Sequence, residues 1–295
     1  MVQSRLIQPV SLGVISIQIP SFPVYLLRFD RSVLVDSGIT TGVSTLSTAL
    51  QELLPETDLD TLLLTHSHWD HAGGAFELQP QMNFSVKASH RAVELLQKPR
   101  VREFIHHLNR EHALQNGAEP PAPYEPLKRL EALKENDRLD LDDKHWIQVY
   151  ETPGHTRCSL AFLLYPEKVL FPGDAVGVVE RDGSIKPLFL SDYGAYEASL
   201  EKLGQLDAEC LCFAHNRVLR GKERVKSFLA ASLERTRQVR DVIRQRLDAG
   251  MEREEIADVL YAEEFPRPTV MGPREALIIN LRAMVLAVER EVGAS

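Results

Sequence analysis

The stretch Thr65–His71, which reads Thr-His-Ser-His-Trp-Asp-His, constrains this chain more than any other. It lies directly behind Leu62–Leu64, an apolar run typical of a buried strand. Because side chains alternate along an extended chain, His66 and His68 point the same way and can reach one ion. The Asp70 and His71 side chains follow where the chain turns and can serve a second ion. Imidazole and carboxylate are ligands of zinc-like metals, so this density of ligands predicts a metal site rather than a solvated polar loop.

Composition narrows the class of protein. The chain has 295 residues, 44% of them hydrophobic, and a net charge of −8. This length fits one large core, or a core domain with a smaller appendage. The negative charge disfavours nucleic acid as the main partner. No apolar run reaches the roughly 20 residues of a membrane span, and residues 1–10 do not resemble a signal peptide. Three cysteines give no disulfide framework. We therefore expect a cytoplasmic protein without a membrane or nucleic-acid partner.

The pattern of apolar residues predicts two β-rich halves followed by a helical tail. Strands are predicted at 14–19, 24–29, 32–35, 62–64 and 84–88, and in the second half at 146–150, 160–164, 169–171 and 210–213. Helices are predicted at 43–54, 91–97, 101–115 and 196–203, and only helices follow Lys222. Two sheets packed face to face with helices outside would bury these strands, which predicts an α+β fold. The tail is expected to lie over the site.

Three more strand ends carry residues that bind metals. His155 follows one strand of the second half in Thr-Pro-Gly-His-Thr, Asp174 follows another in Phe-Pro-Gly-Asp-Ala, and His215 follows a third in Phe-Ala-His-Asn. A small residue before each of them allows a tight turn. Any one of these residues, taken alone, could simply form a turn at the end of a strand. All three together with the first motif make coincidence a poor explanation.

Other reactive side chains are better explained without a metal. The helix predicted at 101–115 carries three histidines, and a charged helix face explains them better than a ligand role: His106, His107 and His112. The Cys158 side chain, three residues after His155, is interpreted as a buried neighbour rather than a nucleophile. The Pro-rich loop 116–126 is predicted to run over the surface near the mouth of the site.

With these residues identified, the chain resembles the metallo-β-lactamase-fold hydrolases. Seven positions carry the likeness: His66, His68, Asp70, His71, His155, Asp174 and His215. The resemblance implies two divalent metal ions, zinc or iron with manganese as a further option. It assigns one ion to His66, His68 and His155, and the other to Asp70, His71 and His215, with Asp174 bridging both. Asp36 matches the family's aspartate that hydrogen-bonds to a ligand, although a helix cap or turn explains it equally well.

The resemblance also implies a fold and a reaction. The fold would be a four-layer αβ/βα sandwich of two mixed sheets, with residues 1–220 as the catalytic domain and 221–295 as a C-terminal helical cap. Two divalent ions bring four positive charges, and Asp70, Asp174 and a bridging hydroxide leave about one. Such a centre ionises water near neutral pH and polarises a carbonyl. Asp70 and Asp174 would therefore be catalytic, and the bridging hydroxide would attack the substrate.

Several subclasses of the family fit less well. Oxygen-reducing diiron members have glutamate where His68 stands, and RNA-processing members are disfavoured by the net charge. Lactamases with the His-x-His-x-Asp-His motif are exported, whereas this chain has no recognisable export signal. Lactonases that open acyl-homoserine lactones often place a tyrosine after the bridging aspartate. Because Tyr193 or Tyr196 could take that role, the lactonase interpretation stays open as an alternative.

A closer likeness is to the quinolone-signal response thioesterases of bacterial quorum sensing. It covers nearly the whole chain and is carried by Pro23–Arg28, Phe171–Ala175, Lys186–Leu188, Asp192–Leu200 and Val218–Gly221. The sequence departs from that group at Asn216, where glycine is usual. The likeness implies a small-molecule acyl-CoA thioester or related ester as substrate, with the glutathione thioesters of glyoxalase II as a neighbouring interpretation. A metal-bearing regulatory or ligand-binding scaffold with weak hydrolysis is the other alternative, and a homodimer stays open.

Overall fold

A computed structural model describes residues 6–19, 22–55, 58–215, 217–265 and 274–293 of the chain. The strands of the first half are β1 (Ile7–Ser11), β2 (Val14–Ile19), β3 (Phe22–Arg28), β4 (Ser32–Val35), β5 (Thr61–Leu63), β6 (Ser85–Ser89) and β7 (Leu130–Leu133). Those of the second half are β8 (Arg138–Asp140), β9 (Trp146–Glu151), β10 (Leu160–Tyr165), β11 (Val169–Phe171), β12 (Val178–Val179), β13 (Ile185–Lys186), β14 (Cys210–Cys212) and β15 (Val218–Arg220).

Helices lie mainly between the strands and after them. Those before β14 are α1 (Val43–Leu53), α2 (Trp69–Ala72), α3 (Ala75–Met82), α4 (His90–Leu96), α5 (Pro99–Gln115) and α6 (Tyr193–Gly204), and a short 3₁₀ helix, Thr40–Gly42, precedes α1. The C-terminal helices are α7 (Lys222–Asp248), α8 (Arg253–Glu264) and α9 (Arg274–Gly293). None of the described helices has the length and apolar composition needed to cross a membrane.

Two large mixed sheets organise the molecule. The first has the order β1-β2-β3-β4-β5-β6-β7, antiparallel up to β4 and parallel from β4 to β7. The second has the order β15-β14-β11-β10-β9-β8, in which only the pair β11 and β14 is parallel. The carboxyl ends of adjacent parallel strands open at the same edge of a sheet, so the residues after β4 and β5 become neighbours, as do those after β11 and β14.

Alternation along the strands builds three apolar cores. Tyr25 and Leu27 of β3 pack between the sheets together with Ile147 of β9 and Phe162 of β10. The intervening Leu26 belongs to a second core, shared with α1, α3 and α4. A third core joins the outer face of the second sheet to α6 and the C-terminal helices. The order helices, sheet, sheet, helices is the predicted four-layer αβ/βα sandwich, and the predicted α+β fold is confirmed.

The C-terminal helices share their core with the second sheet rather than forming one of their own. Leu163 and Leu170 of the sheet belong to the same cluster of buried residues as Val239 of α7 and Leu281 of α9. A polar contact adds to this packing, since the Lys186 ammonium of β13 donates to the carbonyl oxygen of Glu264, 2.6 Å away, and lies 2.9 Å from its carboxylate. The division into 1–220 and 221–295 stays a prediction, because one continuous core spans it.

Candidate metal centre

All seven predicted ligands lie in the segments that follow strands at one edge of the sandwich, with Asp70 and His71 in the short helix α2. His66, His68, Asp70 and His71 follow β5, His155 lies in the loop between β9 and β10, and Asp174 and His215 follow β11 and β14. Their donor atoms form three overlapping groups, within each of which the atoms lie within 4.8 Å of one another. The groups are His66, His68 and His155; His66, His71 and Asp174; and Asp70, His71 and His215.

Asp174 lies between the two halves of this cluster. Its Oδ2 is 3.3 Å from His155 Nε2, and its Oδ1 is 3.2 Å from His215 Nε2 and 3.6 Å from His71 Nε2. In the half of the cluster that contains His66, His155 Nε2 is also 3.0 Å from His68 Nδ1. In the half that contains His215, Asp70 Oδ2 is 3.8 Å from His71 Nε2. A single carboxylate therefore reaches both groups, which is the arrangement required of a bridging ligand.

Hydrogen bonds on the outer side of the cluster orient three of the rings. Asp36 accepts from the backbone N–H and the hydroxyl of Thr65, each at 2.8 Å, and from His71 Nδ1–H at 2.8 Å. Because the Thr65 hydroxyl donates to Asp36, its oxygen can accept from His66 Nδ1–H, 3.1 Å away. His155 Nδ1–H donates to the carbonyl oxygen of Leu188 at 2.9 Å. Each of these three rings therefore turns its Nε2 toward the cluster.

Burial and electrostatics suit these donors to a divalent cation. His66 is fully buried, and its Nε2 makes no hydrogen bond with any residue that the structure describes. A buried ring nitrogen without a hydrogen-bond partner is costly, and a bound cation removes that cost. Burial lowers the pKa of His66 and His155, and it lowers the pKa of His68 to about 3. These rings are therefore neutral at neutral pH, with lone pairs available for a metal.

For His71 and Asp174, neighbouring charges shift the pKa against the effect of burial. Burial alone would lower the pKa of His71, but Asp174, Asp36 and Asp70 together raise it well above its ordinary value. Burial would raise the pKa of Asp174, but His215 and His71 hold it well below its usual range. The carboxylates thus attract positive charge to the centre of the cluster. In chemistry and orientation the residues fit a divalent metal pair.

Comparison with known proteins decides the family. The family model described as Metallo-beta-lactamase superfamily matches residues 23–215, which include all seven predicted ligands. The chain belongs to the metallo-beta-lactamase superfamily. It is similar to a beta-lactamase-like protein 2 homolog of Drosophila melanogaster, with 25% identity over 273 residues, covering 90% of this chain and 82% of the relative. It is also similar to a hydroxyacylglutathione hydrolase of Albidiferax ferrireducens, with 28% identity over 211 residues, covering 69% of this chain and 66% of the relative.

Solved structures extend the superfamily fold over nearly the whole chain. A beta-lactamase domain protein from Burkholderia ambifaria superposes with a TM-score of 0.68 at 18% identity, covering 97% of this chain and 89% of that protein. This coverage brings the C-terminal helices into the shared fold. At such low identity the likeness concerns the fold, and the chemistry must be argued from the residues of this chain.

The structure brings together all seven residues predicted as ligands, and their coordination of metal stays a proposal. Asp36 hydrogen-bonds to His71 and caps none of the helices in the described part of the chain, which favours the interpretation that it orients His71. Asn216 lies outside the described residues. Two groups that support the site were not predicted: the hydroxyl of Thr65, which opens the motif and contacts His66, and the backbone carbonyl of Leu188, which no side chain marks in the sequence.

The three histidines of the helix predicted at 101–115 are not part of the cluster of predicted ligands. His106 Nε2–H donates to the Pro121 carbonyl oxygen, His107 is exposed, and the His112 ring packs 5.6 Å from that of Trp69. Among the described residues, no group of metal-type side chains includes any of the three. Cys158 is buried as expected, with its thiol 3.4 Å from the Ser67 hydroxyl.

The two tyrosines proposed for a lactonase role are both buried. The Tyr196 hydroxyl lies 3.4 Å from the Asp174 carbonyl oxygen and 3.4 Å from the Leu188 backbone N–H. Tyr196 therefore supports the backbone of two site segments. The Tyr193 ring packs against the Arg240 guanidinium of α7, 4.8 Å from the ring centre.

Proposed function

We propose that this superfamily member is a dinuclear metal-dependent thioesterase acting on a small acyl thioester. The observation that carries the proposal is the buried cluster in which Asp174 lies within 3.6 Å of histidines from both sides. Complete donor sets for two ions favour turnover over simple ligand binding. We assign His66, His68 and His155 to one ion, Asp70, His71 and His215 to the other, and Asp174 to both.

Two bound divalent ions would supply a hydroxide nucleophile at neutral pH and polarise the substrate carbonyl. The residues of the chain position these events. Asp70 keeps 16% of its side chain exposed, so its carboxylate can accept a hydrogen bond from the attacking water and orient it. Asp174 is 6% exposed, and its negative carboxylate would attract both ions, which would hold them close together. Asp36 and the Leu188 carbonyl keep His71 and His155 in the tautomers that a metal requires.

The likeness to a hydroxyacylglutathione hydrolase supports a thioester as the substrate. We propose that residues 221–295 act as a helical cap that selects the acyl group. A small apolar cleft between β13, α7 and α9 supports this, because it is lined by Leu188, Val239, Leu281 and Met284. Leu188 links the cleft to the metal centre, since its carbonyl oxygen accepts the hydrogen bond from His155.

Two measurements test the function together: the metal content of freshly purified protein and hydrolysis of a panel of acyl-CoA thioesters, glutathione thioesters, aryl esters and acyl-homoserine lactones. We expect about two divalent ions per chain and thioester turnover that is lost on chelation. The variant Asp174→Asn should lose both bound metal and turnover. The control is Asp207→Asn, an exposed carboxylate that pairs with Lys168 and Lys222 on the surface.

The panel also separates the alternatives. Metal-dependent opening of lactones without thioester cleavage would favour the lactonase interpretation, and Tyr196→Phe would then reduce that activity. Because the Tyr196 hydroxyl contacts backbone groups at 3.4 Å, we instead expect Tyr196→Phe to change thioester turnover by less than about tenfold. Two bound ions with no turnover of any compound would favour the regulatory or ligand-binding scaffold. Full activity in Asp174→Asn would disprove the two-metal site.

A further inference from the structure

A buried amide on α5 joins the two segments that converge on His71. Asn109 is 1% exposed, and its Oδ1 accepts the backbone N–H of Thr40 at 2.9 Å. Its Nδ2 donates to the Trp69 carbonyl oxygen at 3.3 Å and to the Ile105 carbonyl oxygen at 3.2 Å. One partner is a donor and the other two are acceptors, so only an amide in this one orientation satisfies all three.

The two joined segments are those that fix the position of His71. Thr40 begins the 3₁₀ helix that follows the loop from Asp36, and the Trp69 carbonyl belongs to the helix α2 that carries Asp70 and His71. On the inner side, the backbone N–H and the hydroxyl of Ser37 both donate to the His71 carbonyl oxygen, at 2.9 and 2.8 Å. The amide of Asn109 is the corresponding tie on the outer side.

The contact between Asn109 and the α2 turn is closely packed. A Cβ built on Gly73 would lie 2.4 Å from Asn109 Nδ2 and 2.2 Å from the Trp69 carbonyl oxygen, so only glycine fits there. The Thr40 hydroxyl in turn hydrogen-bonds to the Tyr124 hydroxyl, and the Tyr124 ring stacks on Phe76 of α3 at 4.7 Å. Helix α5 and the loop after it therefore brace the metal motif from outside.

We propose that Asn109 is a positioning residue for the metal ion held by Asp70, His71 and His215. The inference rests on the proposed two-metal site. It predicts a selective effect, because the backbone before His66 and His68 has an anchor of its own: the Thr65 carbonyl oxygen accepts the Leu160 N–H at 2.7 Å. Weakening the brace should loosen the α2 turn and leave the group of His66, His68 and His155 in place.

The test is metal binding by Asn109→Asp, which keeps the shape and the acceptor for Thr40 but replaces the donor to Trp69 and Ile105 with a second acceptor. Metal-free protein is titrated with Zn²⁺ against a chromogenic chelator, and Co²⁺ absorption reports each environment. We expect one site with the affinity of the unaltered protein and one weakened about 10- to 100-fold. A second variant, Asn109→Ala, removes the amide without adding charge and should show the same selective loss.

The matched control is Asn116→Asp, at the exposed end of the same helix. Its Nδ2 also donates to a backbone carbonyl, that of His112 at 2.8 Å, so the same chemical change is made away from the metal motif. Circular dichroism of each variant establishes that it is folded. Two unweakened sites in folded Asn109→Asp and Asn109→Ala would overturn the inference, as would equal weakening of both sites. Failure of the unaltered protein to bind two ions would instead refute the proposed function.

Discussion

Replacing Asp36 by Asn tests how the chain sets the tautomer of His71. The carboxylate of Asp36 accepts three hydrogen bonds, two from Thr65 and one from His71 Nδ1–H, each at 2.8 Å. Asp36 adopts a φ of 56°, a left-handed conformation that asparagine also tolerates, so the backbone can stay unchanged. The perturbation therefore alters the polarity of the hydrogen bonds made by one oxygen of Asp36, to the Thr65 hydroxyl and to His71, and leaves the backbone in place.

The structure determines how the new amide must lie. The Thr65 backbone N–H needs an acceptor, so the amide oxygen takes the Oδ1 position and the amide NH₂ faces the Thr65 hydroxyl and His71 Nδ1. His71 Nδ1 must then accept a hydrogen bond, which moves the ring proton to Nε2, the nitrogen that faces the cluster. A metal ion can bind Nε2 only by reversing this tautomer. We expect the affinity of that site to fall about 10- to 100-fold, or about 1.4 to 2.8 kcal/mol.

The assay is competition of Zn²⁺ between the variant and a chelator of known affinity, with the count of retained ions after dialysis. Asp60→Asn is the control, since Asp60 Oδ2 accepts the Ser32 N–H at 2.7 Å just before β5, at the opposite end of that strand. It makes the same change of charge away from the cluster. Retention of both ions by Asp36→Asn at the affinity of the unaltered protein would refute the tautomer reasoning.

Two further predictions concern stability. The free energy of unfolding of the metal-free protein should peak at about pH 6.5, the ordinary histidine pKa. Above that pH the stabilisation from His71, whose pKa is raised, is lost as its proton leaves; below it, buried rings of lowered pKa such as His66 destabilise the fold because the unfolded chain takes up protons more readily. Denaturant titrations from pH 5 to 9 measure this, and a monotonic rise would contradict it. Gly154→Ala should cost about 1–3 kcal/mol from strain alone, because Gly154 has a φ of 128° and the added Cβ would lie 2.3 Å from the Tyr196 backbone; an unchanged melting temperature would contradict this.

Much of the site is predictable because metal ligands are restricted to a few residue types at strand ends. The spacing of His66 to His71 behind an apolar strand is enough by itself to predict a metal site. Short strands at the margins were missed, among them β1, β7 and β15. Their burial patterns are mixed or exposed, so they lack the regular apolar alternation that marks a strand in sequence.

The side-chain chemistry of this centre was thus determined by sequence alone: five histidines and two aspartates, each after a predicted strand. Only the tertiary structure decided which strands are neighbours, and thereby brought Asp174 against both His71 and His215 at the edge of the sandwich. It alone revealed the roles of the Leu188 carbonyl and of Asn109. The physical reason is that every residue carries a backbone carbonyl, so the sequence does not mark the one that matters. The role of a buried amide such as that of Asn109 likewise depends on hydrogen-bond partners far away in the chain. Such partners exist only once the fold has brought them together.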